Sequence, residues 1–147
     1  METTLDEILR TKGGRVCHVK PEANVLEAAQ LMKHEKIGAL LVLQGEKILG
    51  ILTERDMLHR VVAEGIDPAA TKVHEVMTKD VVVLKPSLTV REAMQIVSDK
   101  RTRHLPVVQD GHLLGMISSG DLTHRAIAEE EGVIHTLYDY IYGAYPA

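Results

Sequence analysis

The feature that most constrains this chain is that it contains a copy of itself. Residues 19–60, VKPEANVLEAAQLMKHEKIGALLVLQGEKILGILTERDMLHR, align with residues 84–125, LKPSLTVREAMQIVSDKRTRHLPVVQDGHLLGMISSGDLTHR, at a constant offset of 65 and without a gap. Roughly a third of the aligned positions are identical, as an internal duplication produces. Whatever one half folds into, the other must fold into as well. Two copies are too few for a solenoid, in which stacked units extend one core. The expectation is a closed pair, each half covering the other's apolar face.

Each copy reads as strand, helix, strand, strand, helix. The opening strand is short and apolar: Val16, Cys17, His18 and Val19 in copy one, Val81, Val82, Val83 and Leu84 in copy two, each ended by Lys-Pro at Pro21 and Pro86. Asn24 with Glu27, and Thr89 with Glu92, then mark helix starts three residues apart. Val25, Ala28, Ala29 and Met32, like Val90, Ala93, Met94 and Val97, recur at i, i+3, i+4, i+7, which is one helix face. Strands over 39–43 and 48–52 flank QGEK, and strands over 105–108 and 113–117 flank QDGH, so each pair is a hairpin. A second helix opens near Thr53 and Ser118. Its apolar residues are Met57, Leu58, Val61 and Val62 in copy one and Leu122, Ala126 and Ile127 in copy two. The fold class is mixed α+β, with helices covering small sheets.

Composition limits what such a pair does. At 147 residues and 45% hydrophobic the chain can bury a core, yet it is short for two independent domains. With no Phe and no Trp, that core is aliphatic. The single cysteine, Cys17, excludes an internal disulfide framework and fits a reducing compartment. No run of about 18 apolar residues is present, and METTLDEILR has no basic start followed by an apolar stretch. A cytoplasmic protein is the expectation, without membrane association. A net charge of −4 with interspersed signs disfavours a nucleic-acid partner.

The chain resembles a tandem pair of CBS domains, the regulatory arrangement also called a Bateman module. The resemblance rests on Val-Lys-Pro and Leu-Lys-Pro, on RHLPVV at 103–108, and above all on Gly50, Thr53, Asp56 and Gly115, Ser118, Asp121, two Gly-x-x-Ser/Thr-x-x-Asp segments. It spans nearly the whole chain. It implies two β-α-β-β-α repeats packed through their sheets with pseudo-two-fold symmetry, drawn as 5–64 and 74–130, with a tail helix over 131–147. The closing IHTLYDYIYGAYP is similar to the tail of small free-standing bacterial and archaeal CBS-pair proteins.

Chemically, the repeated segment suits a ribonucleotide. A glycine at a strand end admits a close approach, and a following helix start offers unpaired amides to an anion. A carboxylate accepts from two vicinal hydroxyls. The same spacing also suits an N-terminal cap, with the hydroxyl on a backbone amide and the Asp against the helix dipole. Both uses stand at this point. The resemblance implies ribose binding by Asp56 and Asp121, with Thr53 and Ser118 beside them. It also favours Arg55, Arg103 and His104 as phosphate ligands, donors suited to that anion. Copy one has Gly38 and Ala39 where copy two has Arg103 and His104, so two inequivalent clefts are expected where the halves join. By resemblance, the adenine walls would come from Cys17, His18, Val19, Gly38, Ala39 and Leu40, and from Val82, Val83, Leu84, Leu105 and Pro106.

His59 and His124 each follow an Asp by three residues, but no nucleophile elbow, phosphate loop or zinc spacing accompanies them. No catalytic residue, metal site or catalytic cofactor is expected. The expected function is a non-catalytic sensor. It binds AMP foremost, or ADP, ATP or NAD, and signals to an effector protein by a conformational change. The alternatives are an interaction module with unused clefts and an S-adenosylmethionine binder. All four tyrosines lie in the tail, where Ile134, Leu137, Tyr138 and Ile141 share a helical stripe. A homodimer is the expected assembly.

Overall fold

The computed structural model describes residues 2–129. In chain order the elements are α1 (Leu5–Lys12), β1 (His18–Val19), α2 (Val25–Glu35), β2 (Ala39–Gln44), β3 (Lys47–Thr53), α3 (Glu54–Asp56) with a π-helical continuation Met57–Val62, α4 (Val73–Val76), α5 (Val90–Lys100), β4 (His104–Gln109), β5 (His112–Ser118) and α6 (Ser119–Glu129). The architecture is mixed α+β, as the duplication requires. The chain divides into two compact units, residues 15–81 and a second unit whose described parts are 2–14 and 82–129. Among the described residues, no helix is long and apolar enough to cross a membrane.

In the copy-one unit, β1 pairs parallel to β2 and β2 antiparallel to β3, in the order β1-β2-β3. Ala39 to Leu43 are all buried, so this central strand is covered on both faces. The Asn24 side chain accepts from the Glu27 amide and donates to the Glu27 carboxylate, both at 2.8 Å, and so starts α2. Helix α2 buries Val25, Ala28 and Met32 in a cluster with Leu40, Val42 and Leu52. After Asp56 the helix widens, with the Ala63 N–H donating to the Leu58 carbonyl five residues back at 2.9 Å. The expected apolar stripe narrows to Met57 and Val61; Leu58 and Val62 are 56% and 69% exposed.

The copy-two unit repeats the plan with two changes. Strands β4 and β5 pair antiparallel with a register shift between Val107 and Val108, the counterpart of the shift between Val42 and Leu43. The turn carries positive φ at both Asp110 and Gly111, the geometry that suits a two-residue hairpin, whereas Gly45 alone does so in copy one. The expected opening strand is reduced to one parallel bridge between Leu84 and Val107. A single residue accounts for this. In copy one the Leu41 N–H donates to the Cys17 carbonyl at 3.3 Å; the equivalent of Leu41 is Pro106, which has no N–H to offer Val82.

Neither core is complete within its own aligned block. Helix α1, which precedes copy one, supplies Leu5, Ile8 and Leu9 to the copy-two core. The segment preceding copy two supplies Val73, Val76 and Met77 to the copy-one core. The junctions match. The Leu5 amide donates to the Leu88 carbonyl and the Val90 amide to the Thr3 carbonyl, both at 2.9 Å. The Val25 amide donates to the Thr71 carbonyl at 2.9 Å and the Val73 amide to the Ala23 carbonyl at 2.8 Å. Paired helix starts thereby satisfy one another's unbonded amides. Residues 2–14 fold into the copy-two unit. The tail drawn over 131–147 lies outside the described residues.

This covering explains the two glycines of the repeated segment. A Cβ on Gly50 would lie 2.6 Å from the Met77 sulfur and 2.8 Å from the Thr78 carbonyl oxygen; one on Gly115 would lie 2.7 Å from a Leu9 methyl. The close approach is by the covering chain: backbone and a side chain at Gly50, a side chain at Gly115. Because Gly50 faces rigid backbone and Gly115 faces a side-chain end, Gly50→Ala is expected to cost about 1–3 kcal/mol and Gly115→Ala distinctly less. Urea unfolding of the two variants measures the difference.

Candidate functional site

In the copy-two unit, the end of β5 and the start of α6 bring the predicted residues together. The Ser118 hydroxyl accepts from the Asp121 amide at 3.1 Å, and Asp121 Oδ2 accepts from the Ser118 amide at 2.8 Å. His104 pairs with Ser118 across the hairpin, and the Ser119 amide donates to the Arg103 carbonyl at 2.8 Å. Arg103, His104, Ser118 and Asp121 therefore share one end of the unit. The Arg103 guanidinium is exposed and has no partner among the described residues. Because the Leu84 bridge is parallel, Val83 and Val82 run toward this same end.

The Asp121 carboxylate also accepts from Lys12 Nζ, at 2.6 Å on Oδ2, and Lys12 donates a second bond to the Met116 carbonyl at 2.8 Å. Burial pushes the Asp121 carboxyl up, but the Lys12 ammonium and the Ser118 amide and hydroxyl outweigh it and hold the group below its ordinary 3.8. Asp121 is thus ionised at neutral pH. Its side chain is 28% exposed, and Oδ1 has no partner among the described residues.

The copy-one counterpart is built differently. Asp56 Oδ2 accepts from the Thr53 amide at 2.9 Å and the Thr53 hydroxyl at 3.1 Å, while Oδ1 accepts from the Thr78 hydroxyl at 2.9 Å. The Thr53 hydroxyl accepts in turn from the Asp56 amide at 3.2 Å. Arg60 Nε stands 3.8 Å from Oδ1, while Arg60 Nη1 donates to the Val76 and Met77 carbonyls at 3.2 and 2.8 Å. Asp56 is only 5% exposed. Here Thr53 and Asp56 form a closed helix cap, whereas Ser118 and Asp121 form the same cap with Lys12 added to it. Arg55 is exposed on α3, without a partner among the described residues.

The residues assigned to adenine are also divided. Leu40, Leu84, Leu105 and Pro106 are buried, the first three within the unit cores, so only their main chain could meet a ligand. Ala39 is buried opposite Thr53, and the space beside Gly38 is filled by the Glu54 carboxylate. Cys17, Val19 and Val82 are half-buried, and His18 and Val83 are exposed. Sequence reasoning missed Lys12 and Thr78, the residues that distinguish the two carboxylates. Both lie outside the aligned blocks, so the repeat gave no signal for either. Among the described residues, no group of three or more His, Cys, Asp or Glu could hold a metal ion.

Comparison with known proteins agrees with this architecture. The CBS domain family model matches residues 5–63 and 73–127. The chain belongs to the CBS-domain family and carries two CBS domains. It is 33% identical to the mitochondrial CBS domain-containing protein CBSX3 of Arabidopsis thaliana, over 97% of this chain and 74% of that one. It is 32% identical to the CBS domain-containing protein YhcV of Bacillus subtilis, over 86% of this chain and 89% of that protein. Among solved structures, a protein with CBS domains from Burkholderia ambifaria, provisionally assigned to signal transduction, superposes with a TM-score of 0.84. It shares 40% identity and covers 90% of this chain and 99% of its own. The hexameric CBS-CP12 protein of bloom-forming cyanobacteria gives a TM-score of 0.78 at 33% identity, covering 90% of this chain and 77% of its own.

The two carboxylates should respond differently to removal. Asp56→Ala leaves the Thr53 amide and the Thr78 hydroxyl without their buried acceptor, at an expected cost of about 2–4 kcal/mol; Asp121→Ala removes the acceptor of the Ser118 amide and the part-exposed Lys12 pair, at about 1–2 kcal/mol. Chemical denaturation distinguishes them. The pH dependence of Asp121 has a definite sign. A carboxyl held below 3.8 in the folded state contributes stability that is complete above 3.8 and lost as pH falls through the lowered value. The stability gap between the natural protein and Asp121→Asn should therefore close in acid.

Proposed function

We propose that this protein is a regulatory module, not a catalyst, and that it binds an adenine nucleotide in the copy-two unit. AMP is the first ligand; ADP, ATP and NAD share the adenylate chemistry. The observation that carries this reading is the Asp121 carboxylate: ionised, part-exposed, with Oδ1 unpartnered among the described residues, at the end of the unit that also carries His104 and the exposed Arg103. In this reading Asp121 accepts the ribose hydroxyls, Ser118 assists, and Arg103 and His104 meet phosphate. Val82 and Val83 offer apolar surface for the base. Asp56 and Thr53 serve as a cap and do not bind. The assignment of the Burkholderia relative to signal transduction supports a role in which an effector protein reads the bound state, and a cytoplasmic location suits such a role.

Self-association belongs to the same proposal. The exposed Leu58 and Val62 supply apolar surface, and the hexameric cyanobacterial neighbour supports assembly on this fold. A homodimer is expected in light scattering, and a monomer at high micromolar concentration would refute it.

Thermal melts with AMP, ADP, ATP, NAD and S-adenosylmethionine test the ligand. A binder at about 100 times its Kd adds about 2.7 kcal/mol. The AMP response should vanish in Asp121→Ala and weaken in Arg103→Met. An AMP response that persists in Asp121→Ala removes the ribose assignment. A melt that no ligand moves favours an interaction module.

A further inference from the structure

Lys12 stands on the last turn of α1, and its ammonium is fixed between Asp121 Oδ2 and the Met116 carbonyl. Gly13 and Gly14 follow, and there the chain leaves this unit for the other. The Gly13 amide donates to the Leu9 carbonyl at 2.7 Å. Gly14 lies against β5 so closely that a Cβ would come within 2.8 Å of the Leu114 carbonyl oxygen. On the side of this unit the crossing is held by these backbone contacts and by the Lys12 side chain. That side chain is bound to the carboxylate assigned above to ribose.

A vicinal diol uses both oxygens of a carboxylate. Oδ1 has no partner among the described residues, whereas Oδ2 already accepts from the Ser118 amide and from Lys12. Breaking the Ser118 bond would open the α6 cap. The Lys12 side chain is 39% exposed, so its ammonium finds water as soon as it lets go. Lys12 is the cheaper donor to displace. Resting on the assignment of Asp121 to ribose, the geometry points to Lys12 as an internal competitor for this carboxylate, whose displacement by ligand hydroxyls unfastens the crossing at Gly13 and Gly14. Ligand and Lys12 are then negatively coupled, and linkage makes the coupling reciprocal. For an ion pair of this exposure, removing Lys12 should tighten diol binding about two- to fivefold.

The test titrates the full chain, Lys12→Met and Lys12→Arg with adenosine, which lacks a phosphate that could attract Lys12 directly. It also follows amide exchange over residues 10–16 with and without AMP. Lys12→Met should bind adenosine about two- to fivefold more tightly, and Lys12→Arg should stay near the natural protein. The Gly13 amide should exchange faster in ligand-free Lys12→Met, and AMP should accelerate it in the natural protein but no further in the variant. Equal adenosine affinity with unchanged Gly13 exchange overturns the competitor and leaves the nucleotide site standing. Weaker binding by Lys12→Met also overturns it, making Lys12 a ligand contact. If no nucleotide binds, or Asp121→Ala binds as the natural protein does, the site reading fails separately. The ligand-free exchange then still decides whether Lys12 fastens the crossing: acceleration upholds it and no change removes it.

Discussion

The structure depends on a reciprocal loan of apolar surface. Each helix-and-hairpin unit is closed by a short helix that comes, in sequence, before the other repeat: α1 with Leu5, Ile8 and Leu9, and the α4 segment with Val73, Val76 and Met77. An aliphatic chain without Phe or Trp cannot bury enough from one small sheet and one helix face, so each core is made up with residues from outside its repeat. The paired helix starts add a polar reason, because their first amides would otherwise face a buried junction without acceptors. Glycine at 50 and 115 is the cost in side chains: the covering segments pass where a Cβ would stand.

That arrangement also separates the two copies of one motif. Thr53–Asp56 and Ser118–Asp121 begin as the same reciprocal cap. What the covering segment brings over each cap decides the rest. In copy one it brings Thr78, a hydroxyl that takes the second carboxylate oxygen and helps close the group off from water. In copy two it brings Lys12, which shares the oxygen already in use, and the other has no partner among the described residues. A neutral donor completes a cap. A flexible cation leaves a charged group that can exchange partners. The asymmetry lies in two residues that no comparison of the repeats with each other would find.

Much of the fold was legible because its signals are local. The caps at Asn24 and Thr89, the helical stripes through Val25 and Val90, and the glycine-bearing hairpin turns depend on near neighbours, and the structure keeps them. The misreadings arose where one distant partner mattered. The opening strand of copy two shrank because Pro106 lacks a donor that its counterpart Leu41 supplies. Leu58 and Val62 turned outward along a π-helical stretch that no residue pattern announces. At the site, residue types were legible but availability was not. Leu105 and Pro106 read alike as cleft wall or as core, and only the folded chain shows that their side chains are buried.

The sequence by itself determined a duplicated α+β unit, its element order, and two carboxylates at helix starts, because periodicity, capping and turn chemistry act over a few residues. Tertiary structure decided which helix closes which core and which donors reach each carboxylate. The physical reason is that an apolar stripe such as Leu5, Ile8 and Leu9 can cover any complementary hairpin. A carboxylate's remaining hydrogen-bonding capacity, likewise, depends on donors that folding brings from far along the chain.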